Sequence, residues 1–149
     1  MKIGMCAPID TAVAVAAMGF DFLEPIVYPI AALDEKAFEA LVKHVRALPI
    51  RCAAFNMLFP RDMRIVGPEA DAKRTATYVA RAVSRVAALG AEILVVGSGA
   101  SRMVPQGCDA REGLAQFAET LRCVGNEAAK HGITAVIELL PGGGGTLEP

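Results

Sequence analysis

The sequence has few of the residues that build several common kinds of site. Among its 149 residues there is no Trp, and there are 2 His and 4 Cys. The cysteines form no C-x-x-C pair, and no histidine lies near one at zinc-ligand spacing, so no zinc motif is present. We expect four free thiols in a reducing cytosol. They are Cys6, Cys52, Cys108 and Cys123.

Excess charge of one sign and long apolar runs are also lacking. The sequence carries 15 Lys+Arg against 16 Asp+Glu, a formal charge of −1, which argues against non-specific binding to nucleic acid. No apolar run approaches the roughly 20 residues of a membrane helix, and the first residues lack the apolar stretch of a signal peptide. We therefore expect a cytoplasmic protein that binds neither nucleic acid nor membrane.

What is present is an alternation of short apolar runs with longer amphipathic ones. The predicted strands are Lys2–Ala7, Asp21–Val27, Ile50–Asn56, Ala91–Gly97 and Ile133–Leu140. The predicted helices run from Asp10 to Gly19, from Asp34 to Pro49, from Glu69 to Leu89, and from Asp109 to Gly132. Strict alternation of this kind predicts an α/β fold with a parallel sheet and helical crossovers.

Two topologies fit the alternation, an open doubly wound sheet and the first part of a (β/α)8 barrel. The first strand is followed by Cys6-Ala7-Pro8-Ile9-Asp10, which has no Gly-rich phosphate loop. Since a closed barrel usually takes about 250 residues, the chain is expected to form an incomplete TIM barrel containing its first five strands. We assign residues 1–141 to this partial barrel and residues 142–149 to a Gly-rich disordered tail.

Glu138 is the most informative polar residue. It interrupts the apolar run Ile133–Leu140, and a bare carboxylate inside a buried strand would cost several kcal/mol. A metal cation, a Lys or Arg, or protonation would have to compensate it. A structural ion pair and a metal or catalytic role are therefore both open for this residue.

Four further polar residues lie at predicted strand ends, where chemistry collects in parallel α/β folds. Glu24 ends the second strand, and spacing alone favours a structural ion pair at the barrel rim. Asn56 could bond a substrate hydroxyl or cap the following loop. Ser98 lies between two glycines that let a ligand approach the backbone. Arg102 could bind a carboxylate or phosphate, or be a solvated surface residue.

At this point the residues suggest a family. The sequence resembles the sugar isomerases and epimerases with the xylose-isomerase-like TIM barrel, over about residues 1–140. The resemblance rests on four segments in the same order. They are Gly19-Phe-Asp-Phe-Leu-Glu24; Phe55-Asn-Met-Leu-Phe-Pro60 with Ile65-Val-Gly-Pro68; Val95-Val-Gly-Ser-Gly-Ala-Ser-Arg102 with Val104-Pro105; and Val136-Ile-Glu138.

The resemblance implies a divalent cation (Mn, Mg or Co, sometimes Zn) held by Glu, Asp, His and Glu on the fifth to eighth strands. Glu138 matches the first of these ligands and is the implied catalytic residue. The implied reaction on a sugar or sugar phosphate moves a proton between neighbouring carbons through an enediolate. Glu24, Asn56, Ser98 and Arg102 would line the sugar pocket. Because the later strands are absent, we expect this truncated chain to be inactive by itself.

Two other functions remain as alternatives. The chain could be a non-catalytic half-barrel that self-associates through its open sheet edges. Less favoured is an endonuclease-IV-like DNA repair nuclease. Those enzymes place zinc-ligating histidines at the ends of early strands, where this sequence has Asn56 and Ser98.

Overall fold

The computed structural model describes residues 1–139, so the tail predicted for residues 142–149 lies outside the described residues. The strands are β1 (Gly4–Met5), β2 (Phe22–Leu23), β3 (Arg51–Cys52), β4 (Ala54–Phe55), β5 (Ile93–Val96) and β6 (Thr134–Ile137). The helices are α1 (Ala12–Ala17), α2 (Val27–Ala32), α3 (Glu35–Arg46), α4 (Ala72–Ala88) and α5 (Ala110–Lys130). Short 3-10 turns occupy Ile9–Thr11 and Gly99–Arg102.

All the strand pairs are parallel, in the orders β1-β2-β3 and β4-β5-β6. The strands β3 and β4 are two pieces of the predicted third strand, separated by Ala53. The carbonyl of Ala53 accepts hydrogen bonds from the amides of Glu92 (2.8 Å) and Ile93 (3.1 Å). Before the break the third strand pairs with β2, and after the break it pairs with β5. With β3 and β4 counted as one strand, five strands follow one another in chain order. This confirms the predicted fold class, a parallel α/β unit that forms part of a barrel.

The long helices begin where side chains cap them. Asp34, Asp71 and Asp109 each accept a backbone N–H from the first turn, at distances of 2.8, 2.9 and 2.8 Å. Each such cap satisfies a donor that the helix itself leaves free. The predicted starts at Asp34 and Asp109 are confirmed, whereas α4 begins after Asp71 instead of at Glu69.

Two local predictions at the start of the chain are wrong. Asp10 does not cap a helix, because it lies inside the 3-10 turn Ile9–Thr11, and α1 begins after Thr11, which makes no side-chain cap. The helix α2 was not predicted at all, since its sequence Val-Tyr-Pro-Ile-Ala-Ala has no polar face to give a helical period. Pro29 is tolerated there because it lies in the first turn, where its missing N–H has no helical partner to lose.

The core lies between the sheet and the helices and includes much of the loop after β4. Leu58, Phe59 and Val66 are completely buried, although they lie outside any strand or helix. The hydroxyl of Tyr78 on α4 donates to the carbonyl of Leu58 at 2.7 Å. The loop is thus part of the packed interior and fixes the chain just beyond the third strand.

One side of the sheet stays open. Val136 and Ile137 on β6 are 38% and 53% exposed, because among the described strands β6 pairs with β5 alone. The prediction of a buried last strand is therefore wrong for the described chain. Leu114 on α5 is also half exposed, at 50%. Within residues 1–139, no helix combines the length and apolar character needed to cross a bilayer.

Candidate functional site

The five polar residues singled out in the sequence all lie at or beyond the carboxyl ends of the parallel strands. Glu24 follows β2, Asn56 follows β4, Ser98 and Arg102 follow β5, and Glu138 follows β6. The carboxyl ends of parallel strands share one edge of the sheet, and that edge carries the active site in barrel enzymes. The structure divides the five residues into two groups.

The first group contains Glu24 and Asn56. The Asn56 side-chain amide donates to Oε1 of Glu24 at 2.9 Å and contacts Sγ of Cys6 at 2.9 Å. The backbone of Asn56 is held as well, since its N–H donates to Pro25 (3.1 Å) and its carbonyl accepts from Val27 (2.9 Å). Glu24 forms no salt bridge within residues 1–139, so its partner is an amide and not the predicted cation.

Asn56 retains an unused acceptor. Its Oδ1 is buried and has no hydrogen-bond partner among the described residues. The next residue, Met57, has a φ of 51°, in the left-handed region that non-glycine residues seldom adopt. Sharp turns of this kind are common next to functional groups. A carboxylate and a free amide oxygen therefore stand together beside a sharp turn of the chain.

An apolar cavity of about 330 Å³ adjoins this group. Its walls come from the segment after β1 and from α2, with Cys6 at one edge. The lining residues are Cys6, Ala7, Pro8, Ile9, Pro25, Ile26, Pro29 and Ile30. The sequence analysis missed Cys6 as a site residue, although its position at the end of a predicted parallel strand could have indicated it. It missed the α2 wall because that helix was not predicted.

The second group centres on Glu138. The backbone N–H of Glu138 donates to Val96 at 3.4 Å, which extends the β5–β6 pairing by one residue. The Glu138 side chain lies over Gly97. A Cβ placed on Gly97 would overlap Oε2 of Glu138 and lie 3.1 Å from its Cδ. The missing side chain of Gly97 thus provides the space that the carboxylate occupies.

The burial predicted for Glu138 is not observed. Glu138 is exposed, because β6 is an edge strand and no described element covers it. The argument that burial forces a cation next to this carboxylate therefore does not apply to residues 1–139. Within this part of the chain Glu138 also makes no salt bridge, so its oxygens are available.

Arg102 is not a solvated surface residue. It is 6% exposed, its Nη2 donates to the backbone carbonyl of Glu138 at 2.9 Å, and its guanidinium lies 5.5 Å from the ring centroid of Phe117. Burial lowers the pKa of Arg102, and the negative charge of Glu138 acts in the opposite direction. The guanidinium is directed at the protein backbone, which differs from the predicted contact with a sugar.

Ser98 is similarly engaged by the protein. It is 3% exposed, and its Oγ accepts the backbone N–H of Phe59 at 2.9 Å. The hydroxyl therefore ties the loop after β4 to the end of β5. In the described geometry Ser98 and Arg102 contact the protein itself, Glu24 and Glu138 have carboxylates outside any salt bridge, and Asn56 has a buried acceptor without a described partner.

These groups provide only some of the ligands that a hard cation requires. Carboxylate oxygen is the donor that Mg²⁺ and Mn²⁺ prefer, and Glu138 supplies one such donor. Over residues 1–139, no three His, Cys, Asp or Glu side chains come together as a metal site would require. The described chain can contribute a ligand to a metal centre but does not by itself complete one.

Comparisons with known proteins agree with the fold. The family described as xylose isomerase-like TIM barrel matches residues 12–148. A comparison with curated proteins finds no significant match. A D-psicose 3-epimerase structure determined in the presence of D-fructose has a TM-score of 0.75 and 19% identity, covering 94% of this chain and 53% of that chain.

Two further structures share the fold. An AP endonuclease of family 2 from Brucella melitensis has a TM-score of 0.67 and 17% identity, covering 92% of this chain and 55% of that one. An IOLI protein with a zinc atom has a TM-score of 0.65 and 15% identity, covering 92% and 51%. The chain therefore spans about half the length of the structures it matches, and at these identities the likeness concerns the fold.

Proposed function

Because the chain belongs to the xylose isomerase-like TIM barrel family, we propose that it forms part of a sugar, or sugar phosphate, isomerase or epimerase. The reaction is proton transfer between neighbouring sugar carbons, assisted by a divalent metal. One observation carries the proposal. The Glu138 carboxylate, without a salt bridge in residues 1–139, lies at the same strand-end edge as the Glu24–Asn56 pair.

In this proposal Glu138 is both a metal ligand and the catalytic carboxylate. Its oxygens suit Mn, Mg or Co, and the zinc atom in one structural neighbour supports the use of a metal by proteins of this fold. When bound, such a cation stabilises negative charge that develops on the sugar oxygens. The carboxylate of Glu138 would hold the cation or take a proton from a neighbouring carbon.

Glu24 and Asn56 are proposed to bind sugar hydroxyls. The carboxylate of Glu24 accepts hydrogen bonds, and Oδ1 of Asn56 is an acceptor left without a partner by the described residues. A buried acceptor without a partner costs about 1–3 kcal/mol, which a ligand hydroxyl would recover. The adjoining apolar cavity would accommodate the carbon atoms of the sugar.

The rest of the site must come from outside residues 1–139. One carboxylate binds a divalent ion weakly and does not complete a catalytic site, and this chain spans only about half of the structural neighbours. We therefore predict no isomerase turnover by the isolated chain. Robust metal-dependent turnover by a monomer of this chain would contradict the proposed division of the site.

The proposal can be tested by protein NMR with two probes, MnCl2 and D-fructose. We expect Mn²⁺ to broaden the amide signals of Glu138 and Gly97, and Glu138→Gln to abolish this broadening. We expect D-fructose to shift signals of Cys6, Glu24 and Asn56, and Asn56→Ala to weaken that shift. Glu92→Gln serves as the control, because it removes an exposed carboxylate at the opposite end of β5. Broadening that is insensitive to Glu138→Gln would contradict the metal role.

A non-catalytic assembly role is a second candidate that one observation favours. The exposed apolar side chains Val136 and Ile137 lie on β6, whose outer edge has no partner among the described strands. A partner that adds a parallel strand there would cover them. The nuclease alternative has less support, because the two histidines lie in α3 and at the end of α5, away from the strand ends.

A further inference from the structure

Gly97 lacks the usual backbone reason for glycine. The glycines with φ in the left-handed region are Gly19, Gly67, Gly90, Gly107 and Gly132. Gly97 is not among them, so its backbone conformation is open to other residues. Gly97 is distinguished by its neighbour. The three atoms nearest to a Cβ placed at this position all belong to the side chain of Glu138.

Arg102 also contacts Glu138, through the backbone of that residue. Its Nη2 bonds the carbonyl of Glu138 at 2.9 Å, and the face of Phe117 supports the guanidinium. The sheet holds Glu138 through its backbone N–H, which donates to Val96 at 3.4 Å. The hydrogen bond from the buried Arg102 therefore adds a second restraint on the backbone of Glu138, which directly follows β6.

We propose that Gly97 and Arg102 are positioning residues that together aim the Glu138 carboxylate at the strand-end edge. Gly97 leaves the room in which the carboxylate lies, and Arg102 fixes the peptide that carries it. The use of this carboxylate in metal binding rests on the proposed function, whereas its placement does not.

The placement can be tested without metal on the 149-residue chain. Three-bond NMR couplings report the χ1 rotamer of Glu138, which we expect to be a single one in the wild-type chain. In Gly97→Ala the new methyl should displace the carboxylate, and the original rotamer should lose about half of its population or more. Gly125→Ala is the matched control, because a Cβ there meets no described atom within 4 Å.

The second arm follows the carbonyl of Glu138. Its ¹³C shift reports the hydrogen bond from Arg102, so Arg102→Met should move this resonance. Arg102→Lys retains a charged donor and should restore part of the shift. A purely packing role of Arg102 predicts no such rescue, because Met and Lys fill similar space. Wild-type couplings in Gly97→Ala, or an unchanged carbonyl shift in Arg102→Met, would overturn the proposal.

A third arm applies if Gly97→Ala folds poorly. The overlap is with Glu138, so Gly97→Ala should lower the melting temperature clearly less in a Glu138→Ala background. An equal decrease in both backgrounds would overturn the proposal. Added MnCl2 separates this inference from the proposed function. If Glu138 is placed as expected but Mn²⁺ does not broaden its signal, the metal role is wrong and the positioning stands.

Discussion

Arg85 should be among the most important single residues for the stability of this chain. Its side chain is 5% exposed and reaches from α4 across to the end of α2. It donates to the carbonyls of Leu33 (2.6 Å), Ile30 (2.9 Å) and Ala31 (3.3 Å), and to Oε1 of Glu35 (2.6 Å). One guanidinium thus donates to two carbonyls in the last turn of α2 and to the carbonyl of Leu33 just beyond it.

The change Arg85→Met retains much of the aliphatic volume and removes every donor. A hydrogen bond from a charged donor contributes about 1.5–3 kcal/mol, and a buried carbonyl left without a partner costs about 1–3 kcal/mol. Glu35 is 79% exposed, so its ion pair adds less than about 1 kcal/mol. We therefore expect Arg85→Met to lower the free energy of unfolding by about 3–4 kcal/mol, because it leaves more than one buried carbonyl without this donor.

Urea denaturation measures this loss, and Arg81→Met is the matched control. Arg81 lies one turn earlier on α4 and donates to the same Leu33 carbonyl at 2.7 Å, but its side chain is 50% exposed. Its replacement should cost about 1 kcal/mol or less, because water can replace its contacts. Equal losses in the two variants, or a loss below about 1 kcal/mol for Arg85→Met, would show that burial is not what makes this cluster important.

Three further predictions follow from the described geometry. Ser98→Ala should lower the free energy of unfolding by about 1–3 kcal/mol, because it leaves the buried amide of Phe59 without an acceptor. Urea midpoints measure this loss, and an unchanged midpoint would contradict it. Burial raises the pKa of Cys52 from 9.0 to about 11 and that of Tyr78 from 10.0 to about 12, so the folded chain retains protons that the unfolded chain loses. Stability should therefore be complete below about pH 9 and fall as the pH rises through 11; Cys52→Val should flatten the first part of this fall, and identical pH profiles for both chains would refute the assignment. The open outer edge of β6 should cause concentration-dependent self-association in size-exclusion chromatography, whereas a monodisperse monomer at all concentrations would argue against it.

The regular elements of the fold were largely predictable because their signals are local. Asp34 and Asp109 precede amphipathic runs, and both cap helices as expected. The prediction failed where the sequence carries no periodic signal, or a signal that fits more than one structure. The apolar six residues of α2 have no helical period, and the break at Ala53 that divides the third strand leaves no mark in its apolar sequence.

The candidate site was predictable as a set of strand-end residues but not as a set of contacts. Chain order alone indicates that Glu24, Asn56 and Glu138 end parallel strands. It does not indicate that the Asn56 amide bonds Glu24, or that Arg102 turns inward to a backbone carbonyl. Ser98 has the same sequence signature as a ligand-binding residue, yet its hydroxyl holds the loop after β4.

By itself, the sequence determined the parallel α/β architecture, the family resemblance and the strand-end positions of the polar residues. These follow from periodicity, caps and spacing, each of which acts over a few neighbouring residues. Only the tertiary structure decided that Glu138 is exposed and lies over Gly97, because those facts depend on which strand forms the edge of the sheet and on the register between segments some forty residues apart.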